Sequence, residues 1–416
     1  MIARVALLFL VLFSTIVTGL AQEKHIYSLQ EAIDQALQNN PKVLIGQREI
    51  ESARGKKLQS SSPDQPELTF AWEGIPSGQP LSRANERTIS LEQNIEFPSK
   101  LLLRKGVANR EIDIAMENLN RTKALITAEV KKAYFRVSYQ LKLVETLEFT
   151  LGLLKQFQDA TLVKYQSGYL PYFEVVRAKV EIAKTQNEII ETKKELVSVK
   201  SEFNLLLGKK GSEEFELKDV PSYVPFEKSK EQMVPELAQK NRTLKIAQLS
   251  REKESQSLKL AQTSFIPDLR FSGGYVSETG EKFVPSFEVG FSLPLWWWKP
   301  KGAIQENRAN LKIAEIREVA FDRIVKSEIE KAYELVKASE EQVLLFEKTL
   351  LREIDEELEA GISSYQYNQI DALGLLDIYR TNKTSKIEYH RALYNYLSAL
   401  ADLEVAGEEK EEEERP

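Results

Sequence analysis

From Ser99 to Gln166 the chain contains no proline and only two glycines, Gly106 and Gly152. Read as one helix, that stretch runs about 100 Å. Helices in compact domains average about a dozen residues. A rod this long needs lateral partners along its whole length, as coiled coils do. Its apolar residues recur at heptad-like spacing, for example Leu141, Val144, Leu147, Leu151 and Leu154, and its polar positions are rich in Lys, Glu, Gln and Arg. Proline is absent again from Lys301 to Arg415. The chain is therefore built around two extended helical stretches.

The two stretches belong to a larger repeat. Leu37–Phe70 and Ala238–Phe271 align at a shift of 201, matching Asn40 with Asn241, Gln47 with Gln248, Glu51 with Glu252, Pro66 with Pro267, Leu68 with Leu269 and Phe70 with Phe271. Tyr165-Gln166 meets Tyr365-Gln366 at a shift of 200, and Phe97-Pro98 falls near Leu293-Pro294. Order and near-constant offset point to a duplication. The division expected is a first repeat over 22–208, a linker over 209–230 and a second repeat over 231–407.

Each half has the same grammar. A helical segment comes first, with Leu29, Ala32, Ile33, Ala36 and Leu37 at three and four spacing and a capping box at Ser28 and Glu31. A proline closes the helical stretch. Two alternating runs follow: Glu67–Glu73 and Arg87–Phe97 in the first half, Asp268–Val276 and Val284–Leu293 in the second. Turn residues separate the runs. Their lengths approach the 9–11 residues of a membrane-spanning strand, the first being shorter. Then the rod begins. Each rod breaks once, at Ser167–Pro171 and over Gly361–Asp371, and a helix returns: Tyr172–Leu207 closed by Gly208, and Ala372 to about Ala406 closed by Gly407.

Composition narrows the function. A net charge of −6 argues against nucleic acid as a partner. With no cysteine, and with His25 and His390 far apart in sequence, thiol chemistry and a histidine metal centre are disfavoured. No cofactor, phosphate-binding glycine loop or nucleophile–base pair is expected, so the chain does not read as an enzyme. Residues 1–21 have the layout of a secretory signal, with Arg4 before an apolar run and small residues Gly19 and Ala21 after it. The alternative is a membrane anchor, for which the run is short. The tail from Glu408 to Pro416 is acidic and expected to be disordered.

Trp296, Trp297 and Trp298 stand where the last run ends and the second rod begins. Four strands cannot close a barrel, and an open sheet exposes its edges. Several chains, each donating four strands, could close one and cross a bilayer with every backbone group paired. Aromatic girdles flank the apolar band of such barrels, which places the tryptophans at a membrane–water interface. The competing reading is a packed joint between strand and helix.

At this point the chain resembles the TolC family of outer-membrane efflux ducts. The resemblance runs from SLQEAIDQALQNNP (Ser28–Pro41) to RALYNYLSALADLEVAG (Arg391–Gly407) and includes the tip turns GYLPYFEVVRAKVE and NQIDALGLLDIYRTNK. The stretch LEQNIEFPSKLLLRKG (Leu91–Gly106) leans toward the CzcC-like branch paired with heavy-metal and cation efflux pumps. The resemblance implies a mainly α fold with a small β part. It implies a homotrimer in the outer membrane of a Gram-negative bacterium, with a 12-stranded barrel in lipid and a coiled-coil helical barrel in the periplasm. It also implies a passive exit duct served by a periplasmic adaptor (membrane fusion) protein and an inner-membrane pump of the RND or ABC type.

In that family, acidic residues just after the tip turns line a periplasmic constriction. Glu174 and Asp377 match those positions, with Arg177 and Asp371 beside them. Gly374 occupies one further acidic position, and Arg177 stands where a polar or acidic residue is typical, so this sequence departs from a full acidic ring at two places. The alternative for these acids is ordinary helix-N-terminal placement. Gly168, Leu170, Asn368 and Ile370 are the expected adaptor contacts, with Gly168 also a turn residue. A rival reading makes the whole chain a periplasmic coiled-coil adaptor or scaffold. That reading predicts one hairpin flanked by β-rich domains.

Overall fold

The computed structural model describes residues 25–278 and 281–408. The expected signal sequence and all of the acidic tail but Glu408 lie outside those residues. Glu408 itself is engaged: its carboxylate accepts the backbone N–H groups of Arg242 at 2.9 Å and Thr243 at 3.0 Å.

The first half opens with strand β1 (His25–Tyr27) and helices α1 (Leu29–Asn39) and α2 (Pro41–Ser60). Strands β2 (Glu67–Glu73) and β3 (Glu86–Ile95) follow, then rod α3 (Pro98–Gln166) and return helix α4 (Tyr172–Leu206). The second half contains β4 (Phe215–Leu217), α5 (Lys230–Lys240), α6 (Arg242–Gln262), β5 (Leu269–Glu278) and β6 (Val284–Phe291). Its rod is α7 (Trp298–Leu345), a π-turn over Phe346–Leu350 and α8 (Leu351–Gln366), and α9 (Ala372–Glu404) returns. Both rods span 69 residues, 98–166 and 298–366, or about 100 Å. The break expected over Gly361–Asp371 is confined to 367–371. Gly361 lies inside α8, where an added Cβ would come within 2.5 Å of Ile378 Cδ1 on α9. The glycine is there for close helix packing.

The matched asparagines explain how each half begins. Asn40 ends α1 and caps α2, its Oδ1 accepting from Lys42 N at 2.9 Å, and its Nδ2 donates to Leu206 O at the end of α4. Asn241 does the same between α5 and α6. It accepts from Leu244 N at 3.0 Å and donates to Ala406 O after α9. Both are buried. One side chain thus caps an outgoing helix and pins the end of a returning one, which a shorter or apolar residue cannot do. Ser28 and Glu31 form the expected capping box on α1. Gly208 and Gly407, both with positive φ, terminate the return helices.

Three hydrophobic clusters hold the helices together. One joins Tyr27, Tyr134, Val199, Phe203 and Phe215 at the waist of the first half. A second joins Val325, Tyr333, Val336 and Tyr396 in the second half. The third unites both halves near the tips through Phe157, Ala178, Tyr365, Leu376 and Tyr379. The segment expected as a linker is structured: β4 pairs in parallel with β1, and Tyr223 and Phe226 pack against the second cluster.

β2, β3, β5 and β6 form one antiparallel sheet in that order. The two halves join through β3 and β5, whose registers run from Glu86↔Glu278 to Ile95↔Leu269. β2 and β6 are left as open edges. Among the described residues no helix is long and apolar enough to cross a membrane.

Candidate functional site: an amphipathic sheet and a paired helical tip

Period-two alternation and the pairing register together assign every sheet residue to a face. One face carries Leu68, Phe70 and Trp72 of β2, Ile89, Leu91 and Ile95 of β3, Leu269, Phe271 and Tyr275 of β5, and Phe287, Val289 and Phe291 of β6, interrupted by Arg87 and Ser277 near the loop end and by Gln93 near the helix end. Most of these are exposed. The other face carries Glu67 and Glu73, then Glu86 and Glu92, then Arg270 and Glu278, then Glu288, among Thr, Ser, Asn and Gly and the apolar row Ala71, Val276 and Val284. Six carboxylates face one guanidinium, and Arg270 Nε lies 3.3 Å from Glu92 Oε1. Glu67 sits directly opposite Glu92, and Glu73, Glu86 and Glu278 stand in line across three strands. Like charges in register destabilise a sheet. Water around the carboxylates relieves the repulsion, which suits a face that lines an aqueous lumen.

This acidic face is absent from the expected constriction residues. Its signal was present in the alternation of each run, but the register between strands some 180 residues apart brings the glutamates into line.

The ten residues of β3 rise about 34 Å along the strand. At the ~40° tilt of barrel strands that is about 25 Å, the height of an apolar membrane band. Trp72 lies toward the loop end of the apolar face, stacked on Phe70. Trp296, Trp297 and Trp298 follow the helix end of β6 and are 66, 56 and 57 % exposed. They contact one another, with ring centroids 5.3 Å apart for Trp296–Trp298, and Lys301 lies over the Trp297 ring. Such exposure does not fit a packed joint within the chain.

The two tips are built alike. After α3, Gly168 N donates to Tyr165 O and Tyr169 N to Lys164 O. After α8, Asn368 N donates to Tyr365 O and Gln369 N to Ser364 O. Both are Schellman turns with a left-handed residue, Gly168 (φ 78) or Asn368 (φ 60), in the same place. Leu170 and Ile370 are half-buried beneath each turn, while Tyr169 and Tyr367 project outward. Lys164 ties the tips together. Its ammonium donates to Tyr365 O at 2.7 Å and Asn368 Oδ1 at 2.8 Å and lies over the Tyr365 ring, and burial pulls its pKa down.

The four expected constriction residues have different surroundings. Glu174, in the first turn of α4, has a largely covered side chain and pairs with Arg177 at 3.2 Å. It also lies close enough to Tyr365 to add to the upward push that burial exerts on that phenol. Asp371 is the N-cap of α9, its Oδ1 accepting from Gly374 N at 2.8 Å. Helix-N-terminal placement thus describes Asp371 and partly Glu174. Asp377 is exposed, and no hydrogen bond or ion pair engages it among the described residues. Arg380–Glu181 and Lys383–Glu188 pairs link the two return helices behind the tips.

No group of His, Cys, Asp and Glu among the described residues could hold a metal ion.

Residues 32–209 match the family described as Outer membrane efflux protein. The match covers the first half, and the second half repeats its elements in the same order. No curated protein matches the chain by sequence. Solved structures share the fold over nearly the whole chain. The outer membrane protein VceC of Vibrio cholerae has a TM-score of 0.75 at 17 % identity, covering 92 % of this chain and 97 % of its own. The Campylobacter jejuni CmeC outer membrane channel gives 0.75 at 13 %, covering 93 % and 87 %. The open-state Neisseria gonorrhoeae MtrE outer membrane channel gives 0.73 at 15 %, covering 91 % and 88 %. The family match and the fold agree: residues 32–209 match the Outer membrane efflux protein family, and nearly the whole chain shares the fold of solved outer membrane channels.

Proposed function

We propose that three copies of this chain close a 12-stranded barrel and form the passive exit duct of a tripartite efflux pump. The observation that carries the reading is the sheet: apolar on one face, acidic on the other, and unpaired at both edges. Closure by further copies would remove both edges, turn the apolar face to lipid and leave the acidic face around water. Two rods per chain, with their return helices, would continue the wall below the membrane. The adaptor alternative is disfavoured by two hairpins and a single four-stranded sheet where one hairpin between β-rich domains was expected. The family matched by the first half is described as an efflux protein, and the structural neighbours include outer membrane channels, which supports a duct over an enzyme.

An inner-membrane pump, of RND or ABC type, would load the duct through a periplasmic adaptor. Gly168, Leu170, Asn368 and Ile370 would present the turns to that adaptor. Cations are the favoured cargo, because acidic rings lower the cost of bringing positive charge into a pore. A heavy-metal or other cation efflux role is consistent with that preference. Glu174, Arg177, Asp371 and Asp377 would sit at the narrow end. Of these, Asp377 is the carboxylate left free to meet permeating ions.

The test is conductance. Purified protein in planar bilayers should form long-lived pores that favour K⁺ over Cl⁻. Changing Glu73, Glu86 and Glu278 together to Gln should lower that ratio severalfold. Inserted protein that conducts nothing would remove the duct reading. Conducting pores with unchanged selectivity would remove the acidic barrel face from it.

A further inference from the structure

The helices carry a separate charge pattern where they meet the sheet. The last two turns of α2 (RGKKLQS, 54–60) and the first two of α3 (PSKLLLRK, 98–105) contain basic residues and no acid. The last turns of α6 (QSLKLAQ, 256–262) and the first of α7 (WKPKGAIQ, 298–305) are the same. Acids return immediately beyond, at Glu51, Glu111, Glu254 and Glu306. The basic layer is therefore about two turns, or ~10 Å, deep. It lies between an apolar sheet face and helices of mixed charge.

Some of these cations have partners: Lys100 pairs with Asp268 at 2.7 Å, and Arg104 with Glu96. Lys299 and Lys301 are exposed, and no carboxylate pairs with them among the described residues. Both adjoin the exposed tryptophans, and Lys301 lies against Trp297. Lys105 is likewise exposed and without an ion pair. Indole rings favour the headgroup level of a bilayer, and lysines beside them reach phosphate.

We propose that this collar, centred on Trp296–Lys301, binds the headgroups of anionic phospholipids in the leaflet nearest the helices. The inference rests on the membrane placement of the sheet. It adds a lipid class, chosen by charge complementarity, that the placement alone does not supply. Each basic residue near an anionic surface strengthens partitioning about fivefold, within a Debye length.

Tryptophan quenching tests it. The full-length protein carrying Trp72→Phe, so that emission comes from Trp296–Trp298, is reconstituted in vesicles doped with brominated phosphatidylglycerol or brominated phosphatidylcholine at equal mole fraction. Quenching by the phosphatidylglycerol should exceed that by the phosphatidylcholine at least twofold, and high salt should shrink the difference. Lys299→Gln with Lys301→Gln should abolish the preference while keeping quenching by both lipids, which also reports a folded, inserted protein. If the double variant fails to insert, Lys105→Gln should still narrow the preference. Equal quenching of the parent by both lipids overturns the collar but leaves the membrane placement standing. Loss of the preference on adding inorganic phosphate, when sodium chloride at the same ionic strength preserves it, reassigns the lysines to a free anion and also overturns it. No quenching by either lipid overturns the placement itself, and the duct reading with it.

Discussion

The two halves of the chain differ where they meet unlike neighbours and agree where they meet like ones. Asn40 and Asn241 keep one job in both, capping an outgoing helix while holding the end of a returning one. The left-handed turn residues, Gly168 and Asn368, also keep one geometry. At the first turn of the return helices the pattern separates. Pro171 and Glu174 in one half correspond, at a shift of 200, to Asp371 and Gly374 in the other, and Arg177 corresponds to Asp377. Each return helix keeps one acid at its positive end. In α4 it is Glu174 inside the helix, and in α9 it is Asp371 as the cap. Duplication has preserved backbone requirements and released side-chain charge.

The asparagines offer the largest test of this comparison. Asn40→Ala and Asn241→Ala should each cost about 2 kcal/mol, since each loses a cap and strands a carbonyl. Urea midpoints of the detergent-solubilised protein should fall equally for both. A large loss for one and none for the other would break the equivalence.

His390 sharpens the difference, because its counterpart at a shift of 200 is Ile190, which does not titrate. Burial, reinforced by Lys142 and Lys386 against the opposing pull of Glu145, lowers the His390 pKa from 6.5 to about 4. The unfolded chain therefore takes up this proton first as pH falls. The stability from neutral His390 is complete above pH 6.5 and is lost as pH falls through 6.5 toward 4. His390→Gln should remove that part of the acid limb in a pH series of unfolding midpoints. Identical limbs for both proteins would mean that the imidazole is solvated.

At the tips, Gly168→Ala should cost about 1 kcal/mol through its left-handed backbone. Asn368→Gly relaxes the backbone and removes the Lys164 contact, so its net effect should be smaller. Amide hydrogen exchange over 160–172 and 360–372 would report both. The smallest effect concerns selectivity: Asp377→Ala should lower the cation preference of the pore more than Glu174→Ala, because Arg177 already neutralises Glu174. The reverse order would place Glu174 in the current path.

Much of this fold was legible because its signals are local. Proline-free length gave the rods, alternation gave Glu67–Glu73 to the residue, and the matched Asn40 and Asn241 marked the repeat. What escaped depends on distant partners. Gly361 resembled a break until Ile378 filled the space beside it. β4 is three residues long and exists because β1 lies alongside. The π-turn at Phe346–Leu350 carries no proline or glycine to announce it. The acidic face needed the pairing of β3 with β5, across more than 170 residues, before its glutamates could be seen in line. At the tips, residue type alone could not show that Arg177 covers Glu174 or that Asp371 is occupied as a cap.

The two rods have the same length, and that sameness works as a gauge. In a tube assembled from both kinds of rod, unequal lengths would leave a stepped rim, with one set of turns reaching a partner before the other. A single inserted residue would also swing everything beyond it by about 100° around the axis and push it ~1.5 Å further. Changes of length in such a protein must therefore come in matched sets, in whole heptads, on all its staves at once. In the proposed trimer the rim would stay level only if no rod grew alone.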